Sequence, residues 1–417
     1  MIEPLAHGTG PGHDLPIPLF YAVAGGALAV FVSFLAMGLL WPESRLRGSE
    51  AGRPVPRIQR LVDAPGTRWT LQLTGLVATG LVVAAVVRLP DDPHLNPAAS
   101  VVYAVFWVGL VVASLLFGPV WRLLNPLRTV HQLVARALRA DPASGPLPLP
   151  AWVGYWPAAV GLVAFVWMEL VSPAPDSTTT VGWYFGTYAV VHLTAAALFG
   201  SRWFDRGDAF EAYSGLIGRL APLGRRADGQ VVVRNPLDGL DALRPAAGLV
   251  TVVCVLLAST AYDSVTVLWD YGTVAAGTAG LLAAVAVVVI AYRCAATLAG
   301  VVGGRRGAAG LFVHSLIPIA VGYVIAHYIA LLIGETQRAV VLLLGLDWQI
   351  NESLLPAGVL ATVQVGAIVI GHVLGVVAAH DRAVRLFEPR TAVAGQIPLM
   401  GLMVVLTVGG LTLLAAG

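Results

Sequence analysis

The chain reads as an all-α polytopic integral membrane protein with about ten transmembrane helices and both termini outside. Three observations lead there. Of 417 residues, 57% are hydrophobic and only 12% charged, with a mean hydropathy of +0.80. Apolar stretches of about twenty residues, the length that crosses a bilayer, recur along the whole chain. Arginine also falls on alternate loops between those stretches. Soluble domains do not carry that balance.

Taken in order, residues 1–18, "MIEPLAHGTGPGHDLPIP", form an external tail, with no basic segment ahead of a cleavable apolar region. Spans follow near 19–41, 69–88, 101–120, 151–171 and 181–200. The second half places them near 245–265, 273–293, 308–333, 356–380 and 395–416. Each is an apolar run bounded by Pro, Gly or charge. All 25 basic residues are Arg, a bias of base composition rather than of chemistry, and 23 of them lie on the odd-numbered loops. Only Arg88 and Arg338 fall on the other side. By the positive-inside rule the odd loops are cytoplasmic. A missed or extra span would scramble that alternation. The chain is then a single transmembrane domain, expected in a bacterial plasma membrane. Membrane lipid is its solvent and no nucleic-acid partner is expected.

Two cytoplasmic stretches resemble each other, "FGPVWRLLNPLRTVHQLVARAL" and "FGSRWFDRGDAFEAYSGLIGRLAPLG". Each leaves a span at Phe-Gly, places Trp three residues later, and continues as an amphipathic segment expected to lie in the interface. The outer stretch 334–355, with its apolar centre, reads as a helix lying on the outer surface or re-entering. Cys254 and Cys294 sit inside apolar runs, so no disulfide framework or CxxC site is present. P-loop, GxGxxG, GxSxG and HExxH signatures are absent from the sequence.

Ionisable residues inside the membrane are costly, so they carry the functional information. His314 and His327 of the eighth span are thirteen residues apart, about 220° of rotation and roughly 20 Å of rise. They define two groups, one per leaflet. In the outer leaflet Glu169 ends the fourth span and Asp263 the sixth, at the depth of His327 and Gln364. Tyr323 shares a face with His327, and His7, His13 and Asp14 of the tail lie on the same side. Carboxylates with imidazoles suit a Zn, Cu or Fe site with an open position. His327, His7 and His13 would be the metal ligands, with Glu169 or Asp263 as ligand or general base. The alternative is interfacial carboxylates satisfied by backbone and water. In the inner leaflet His314, His372, His380 and Asp381 come from adjacent antiparallel spans, with His192 near mid-membrane. A haem held by His314 with His380, or by His192 with His372, is open, as is copper. So is a plain solvated helix end at His380-Asp381-Arg382.

The stretches "LAHG…DLPIP", "FGPVWRLLNPLRT", "HSLIPIAVGYVIAHY" and "HVLGVVAAHDRA" resemble actinobacterial polytopic membrane proteins of the fenitrothion hydrolase family. The likeness runs from the tail to the ninth span. It implies the membrane subunit of a two-component hydrolase, hence a second protein subunit. The matching positions are His7, Glu169, Asp263, His314, His327, His372, His380 and Asp381. Six residues before His7 are too few for a cleaved signal that would expose an N-terminal His ligand. Three functions are therefore expected as alternatives. One is a metal-binding hydrolase or oxygenase subunit acting on lipophilic esters. The second is a haem- or copper-binding electron-transfer subunit. The third is a proton- or metal-ion-coupled transporter.

Overall fold

A computed structural model describes residues 18–269, 271–351 and 353–416. Ten long or apolar helices follow the ten expected spans. They are α1 (Leu19–Leu40), α3 (Pro65–Arg88), α4 (Ser100–Phe117), α6 (Trp156–Leu170) and α7 (Thr178–Phe199). The second half supplies α10 (Leu249–Leu268), α11 (Val274–Val302), α12 (Ala308–Leu344), α13 (Ala357–Leu386) and α14 (Ile397–Ala416). Among the described residues eight are long and apolar enough to cross a membrane; α6 has only fifteen residues, and α7 is the other exception. Between them lie the shorter helices α2 (Pro56–Asp63), α5 (Pro126–Ala137), α8 (Ala209–Ile217) and α9 (Pro236–Asp241). Chain order runs α1 to α14. The protein is an all-α polytopic membrane protein.

Odd-numbered loops bond to one another, and so do even-numbered ones. At one end, the 41–47 segment is bound by Asp381 and Asp238, and Asn125 reaches Asp208. At the other end, Asp91 caps the start of α7 through Ser177 and Thr178, and the Tyr103 hydroxyl donates to the Pro175 carbonyl. These hydrogen bonds hold the Asp91 carboxyl below its ordinary value. At the Arg-rich end three short strands, Arg53–Pro54 (β1), Leu223–Arg225 (β2) and Val231–Val233 (β3), pair antiparallel in the order β1-β3-β2.

α10 is the hub, packed by α6, α11, α12 and α14 and buried over most of its length. α12 and α13 form the closest pair. A Cβ on Gly371 would stand 2.5 Å from the Pro318 carbonyl oxygen, and one on Gly375 2.7 Å from that of Ser315. A Cβ on Gly322 would collide with the Ala367 carbonyl. Glycine lets the two backbones touch, as small residues do between membrane helices.

Three elements differ from expectation. The stretch after 333 is no separate outer helix: α12 runs unbroken to Leu344, because no Gly or Pro interrupts "ETQRAVVLLL". Glu335 is anchored there by Ser100 at 2.6 Å and by Arg338. Second, α8 does not lie in the interface. All its residues but Gly215 are buried, and it packs on α4, α6 and α12. Its sequence partner α5, with Leu133 and Val134 exposed, keeps the interfacial character. Third, the first half of α4, Ser100–Val108, is π-helical, a local widening that often accompanies function.

Candidate functional site

Asp263 is fully buried on α10 and accepts two hydrogen bonds from α12. His327 Nε2 lies 2.9 Å and the Tyr328 hydroxyl 2.7 Å from the same oxygen, Oδ2. Two consecutive residues of one helix reach one carboxylate because Asp263 faces α12 between their side chains. A third helix, α6, brings Glu169, buried at its C-terminal end, into electrostatic range of Asp263. Glu169 also senses Tyr103 and Tyr213. Its Oε1 has no hydrogen-bond partner in the protein, and neither has the Tyr213 hydroxyl. Buried polar groups are otherwise almost always paired. Carboxylates from α6 and α10, an imidazole and three phenols, Tyr328, Tyr213 and Tyr103, thus group in the bundle core. The His327 ring also faces a cavity of about 10 Å³ with Thr260, Ser264 and Tyr323 on its wall, enough for one water.

Tyr323 and Gln364 do not join this centre directly. The Tyr323 hydroxyl donates to the Leu406 carbonyl, and Gln364 Nε2 donates to the Ala326 carbonyl at 3.0 Å. His7, His13 and Asp14 lie outside the described residues. Tyr328, Tyr213 and Tyr103 were not anticipated. Tyr328 sits beside His327 in "AHYIA", but periodicity within α12 favoured Tyr323.

The inner histidines are dispersed. His314 Nε2 lies 3.2 Å from the Ala378 carbonyl, and its Nδ1 has no partner. His372 Nδ1 donates to the Ile368 carbonyl one turn back at 2.8 Å, leaving Nε2 without a partner. His380 spends both nitrogens, Nδ1 on the Gln396 side-chain oxygen at 3.0 Å and Nε2 on the Trp41 carbonyl at 2.9 Å. It offers no free lone pair to a metal as placed, so the His314–His380 pairing requires it to release a partner. His192 accepts from the Trp203 indole at 2.9 Å and lies tilted against the Tyr188 ring. Its helix α7 packs with α3, α5 and α6, not face to face with α13, which carries His372. His380, Asp381 and Arg382 are all buried, so they are not a solvated helix end. Asp381 accepts from the Trp41 indole, the Ser44 hydroxyl and the Arg45 and Leu46 amides at 2.6–3.2 Å. Its role there is to pin the segment after α1. Among the described residues no group of three or more His, Cys, Asp or Glu is placed to hold a metal ion.

A second buried polar cluster lies at the Arg-rich end. Arg128 of α5 donates to both oxygens of Glu211, at 2.6 and 3.0 Å, and to Asp205 at 2.7 Å. Asn125 reaches Asp208 at 3.2 Å and Glu211 at 3.3 Å. Asn125 and Asp208 are the N-caps of α5 and α8, and Arg128 and Glu211 are the third residues of the same helices. The two like segments therefore meet through equivalent positions, as a local two-fold would arrange. Each also leaves its span at a glycine with positive φ, Gly118 at 86° and Gly200 at 76°, which explains the shared Phe-Gly. Burial raises the Glu211 carboxyl to about 7 against the opposing pull of Arg128. Burial likewise raises Asp208. A groove of about 610 Å³ between α3 and α7, lined by Val86, Thr179, Gly182 and Trp183, holds none of the candidate residues. No family model, curated protein or solved structure matches the chain.

Proposed function

We propose that this multi-pass membrane protein moves protons through its helix bundle, with Glu169, Asp263, His327 and Tyr328 as the central exchange site. One observation carries the reading: a fully buried carboxylate, Asp263, bonded to an imidazole and a phenol, with a second buried carboxyl on a facing helix. Isolated charge in the membrane is expensive, and such carboxylate–imidazole groups are the parts from which proton relays are made. Asp263 and His327 pass a proton between Oδ2 and Nε2 over 2.9 Å, and Glu169 supplies a second acceptor.

The test is reconstitution in liposomes holding a trapped pH dye, with an imposed potassium diffusion potential. Wild-type protein should carry protons, and Asp263→Asn should lower the rate by about tenfold or more. A wild-type rate equal to that of empty liposomes refutes the reading.

The Glu169 oxygen without a hydrogen-bond partner favours a second reading. Glu169 and His327, joined by His7 or His13, would hold Zn, Cu or Fe in a subunit acting on lipophilic esters, as the fenitrothion hydrolase resemblance implies. A haem on His372 or His314, in an electron-transfer subunit, is a further alternative, since each keeps one nitrogen without a partner. Elemental mass spectrometry and the visible spectrum of purified protein decide it. About one metal equivalent lost on His327→Ala, or a Soret band lost on His372→Ala, would replace the proton reading.

A further inference from the structure

The His327 ring hydrogen-bonds through Nε2 to Asp263, and its Nδ1 bonds no group among the described residues. The ring also lies on the wall of a cavity of about 10 Å³, and Asp263 is not on that wall. The edge of the ring turned to the cavity is therefore the one that leaves Asp263. Thr260, Ala261 and Ser264 of α10, Tyr323 of α12, Ile368 of α13 and Gly410 of α14 complete the enclosure. Gly410 makes the room, since a Cβ there would collide with the Tyr323 ring. Each hydroxyl on the wall already donates its proton. Thr260 donates to the Leu256 carbonyl at 3.3 Å, Ser264 to the Thr260 carbonyl at 3.2 Å, and Tyr323 to the Leu406 carbonyl. Towards the cavity they offer only lone pairs. With the imidazole proton on Nε2, facing the carboxylate, Nδ1 is an acceptor as well. The wall thus consists of acceptors and calls for an occupant that brings protons. One water has the size and the number of polar partners required. Leu413 and Leu414, in the last turn of α14, close the cavity and are only half-buried. The cavity therefore lies just beneath the bundle surface, towards the end away from the Arg-rich loops.

We propose that this cavity is a water site from which protons enter and leave the central site through His327 Nδ1. The proposal rests on the central-site reading above. A proton carried by the water bonds to Nδ1. The Nε2–H bond breaks in turn, and its proton passes to Asp263 Oδ2 over the 2.9 Å contact. One N–H bond forms and one breaks, the carboxylate becomes neutral, and the water and the ring are both left uncharged. The step runs equally in reverse. An imidazole suits this place because its two nitrogens lie on different sides of one ring, one for the carboxylate and one for water.

The experiment uses the full chain in liposomes and adds a second readout to the flux assay. Exchange of the imidazole Cε1 hydrogens in D2O is followed by mass spectrometry. His327 should exchange faster than His372, which is fully buried. Ala261→Val adds methyl groups to the cavity wall and should slow His327 to the rate of His372. Ala261→Val and Ser264→Ala should each lower proton flux by about tenfold. Ser264→Ala removes one acceptor and adds no bulk, so it reports even where filling the cavity destabilises. Thr412→Val, exposed on α14, should leave both readouts unchanged. Equal exchange at His327 and His372 overturns this inference alone, as does flux lost in Asp263→Asn but kept in Ala261→Val and Ser264→Ala. Absence of wild-type flux overturns the central-site reading, and this inference with it.

Discussion

Glu211→Gln has a stability consequence that follows from burial. The Glu211 carboxyl ionises at about 7, against an ordinary value of 4.5, because desolvation outweighs the neighbouring Arg128. A carboxyl whose value is raised on folding binds its proton more tightly in the native state. Its stabilising contribution is complete below about 4.5 and is lost as pH rises through about 7. At 1.36 kcal/mol per pH unit the loss is about 3 kcal/mol between those limits. Gln mimics the neutral acid and does not titrate. Unfolding of wild type and Glu211→Gln in mild detergent at pH 5, 6, 7 and 8 should therefore diverge. Wild type loses stability relative to the variant as pH rises, and the gap approaches about 3 kcal/mol at pH 8. Asp208, also raised by burial, acts in the same direction and remains in both proteins. Histidines are common to both as well, so the difference isolates Glu211. Parallel curves from pH 5 to 8 would refute the argument.

Other outcomes follow from the same geometry. Gly371→Ala forces a methyl against the Pro318 carbonyl and should cost about 1–3 kcal/mol in an unfolding assay. Gly366→Ala, with nothing within 4 Å, should be neutral or slightly stabilising. Asp381→Ala orphans four donors of the 41–46 segment; a loss of about 3 kcal/mol or more is expected, read as lower thermal stability. Arg128→Glu and Glu211→Arg should each impair folding, whereas the double exchange restores much of the loss. A double-mutant cycle showing no coupling would contradict the pairing of equivalent positions.

The long apolar helices are legible because the bilayer demands long apolar runs. Where legibility failed, one kind of information was missing in each case. Burial of α8 could not be read from its composition, since an amphipathic helix suits a lipid interface and a protein interior alike. Its carboxylates at i and i+3 were the available signal. The end of α12 was misplaced because hydropathy falls at Glu335 while the helix, held by Ser100 and Arg338, continues. At the site, the sequence sets Glu169, Asp263 and His327 at one depth, and the structure bonds Asp263 to His327, with Glu169 on the neighbouring helix α6. Tyr328 was missed because pairing across helices depends on the partner's rotation about its own axis, which one sequence does not reveal. His380 and Asp381 were read as candidate ligands or as exposed. Their partners Trp41 and Gln396 lie in segments distant in sequence, and no local pattern marks such a tie.

The glycine seam between α12 and α13 has a mechanical consequence. Backbones in direct contact at Gly322, Gly371 and Gly375 tie α12 to α13 along this stretch. His327 and Tyr328 lie on α12 of that pair, whereas Asp263 and Glu169 lie on α10 and α6. The carboxylates and the imidazole thus sit on different helices, with side-chain bonds from Asp263 joining α10 to α12. A change that separates α10 from α12 would stretch the bonds from Asp263 to His327 and Tyr328. On the proposed proton reading, a covalent tether across α12 and α13 should leave proton flux intact, while one between α10 and α12 should lower it.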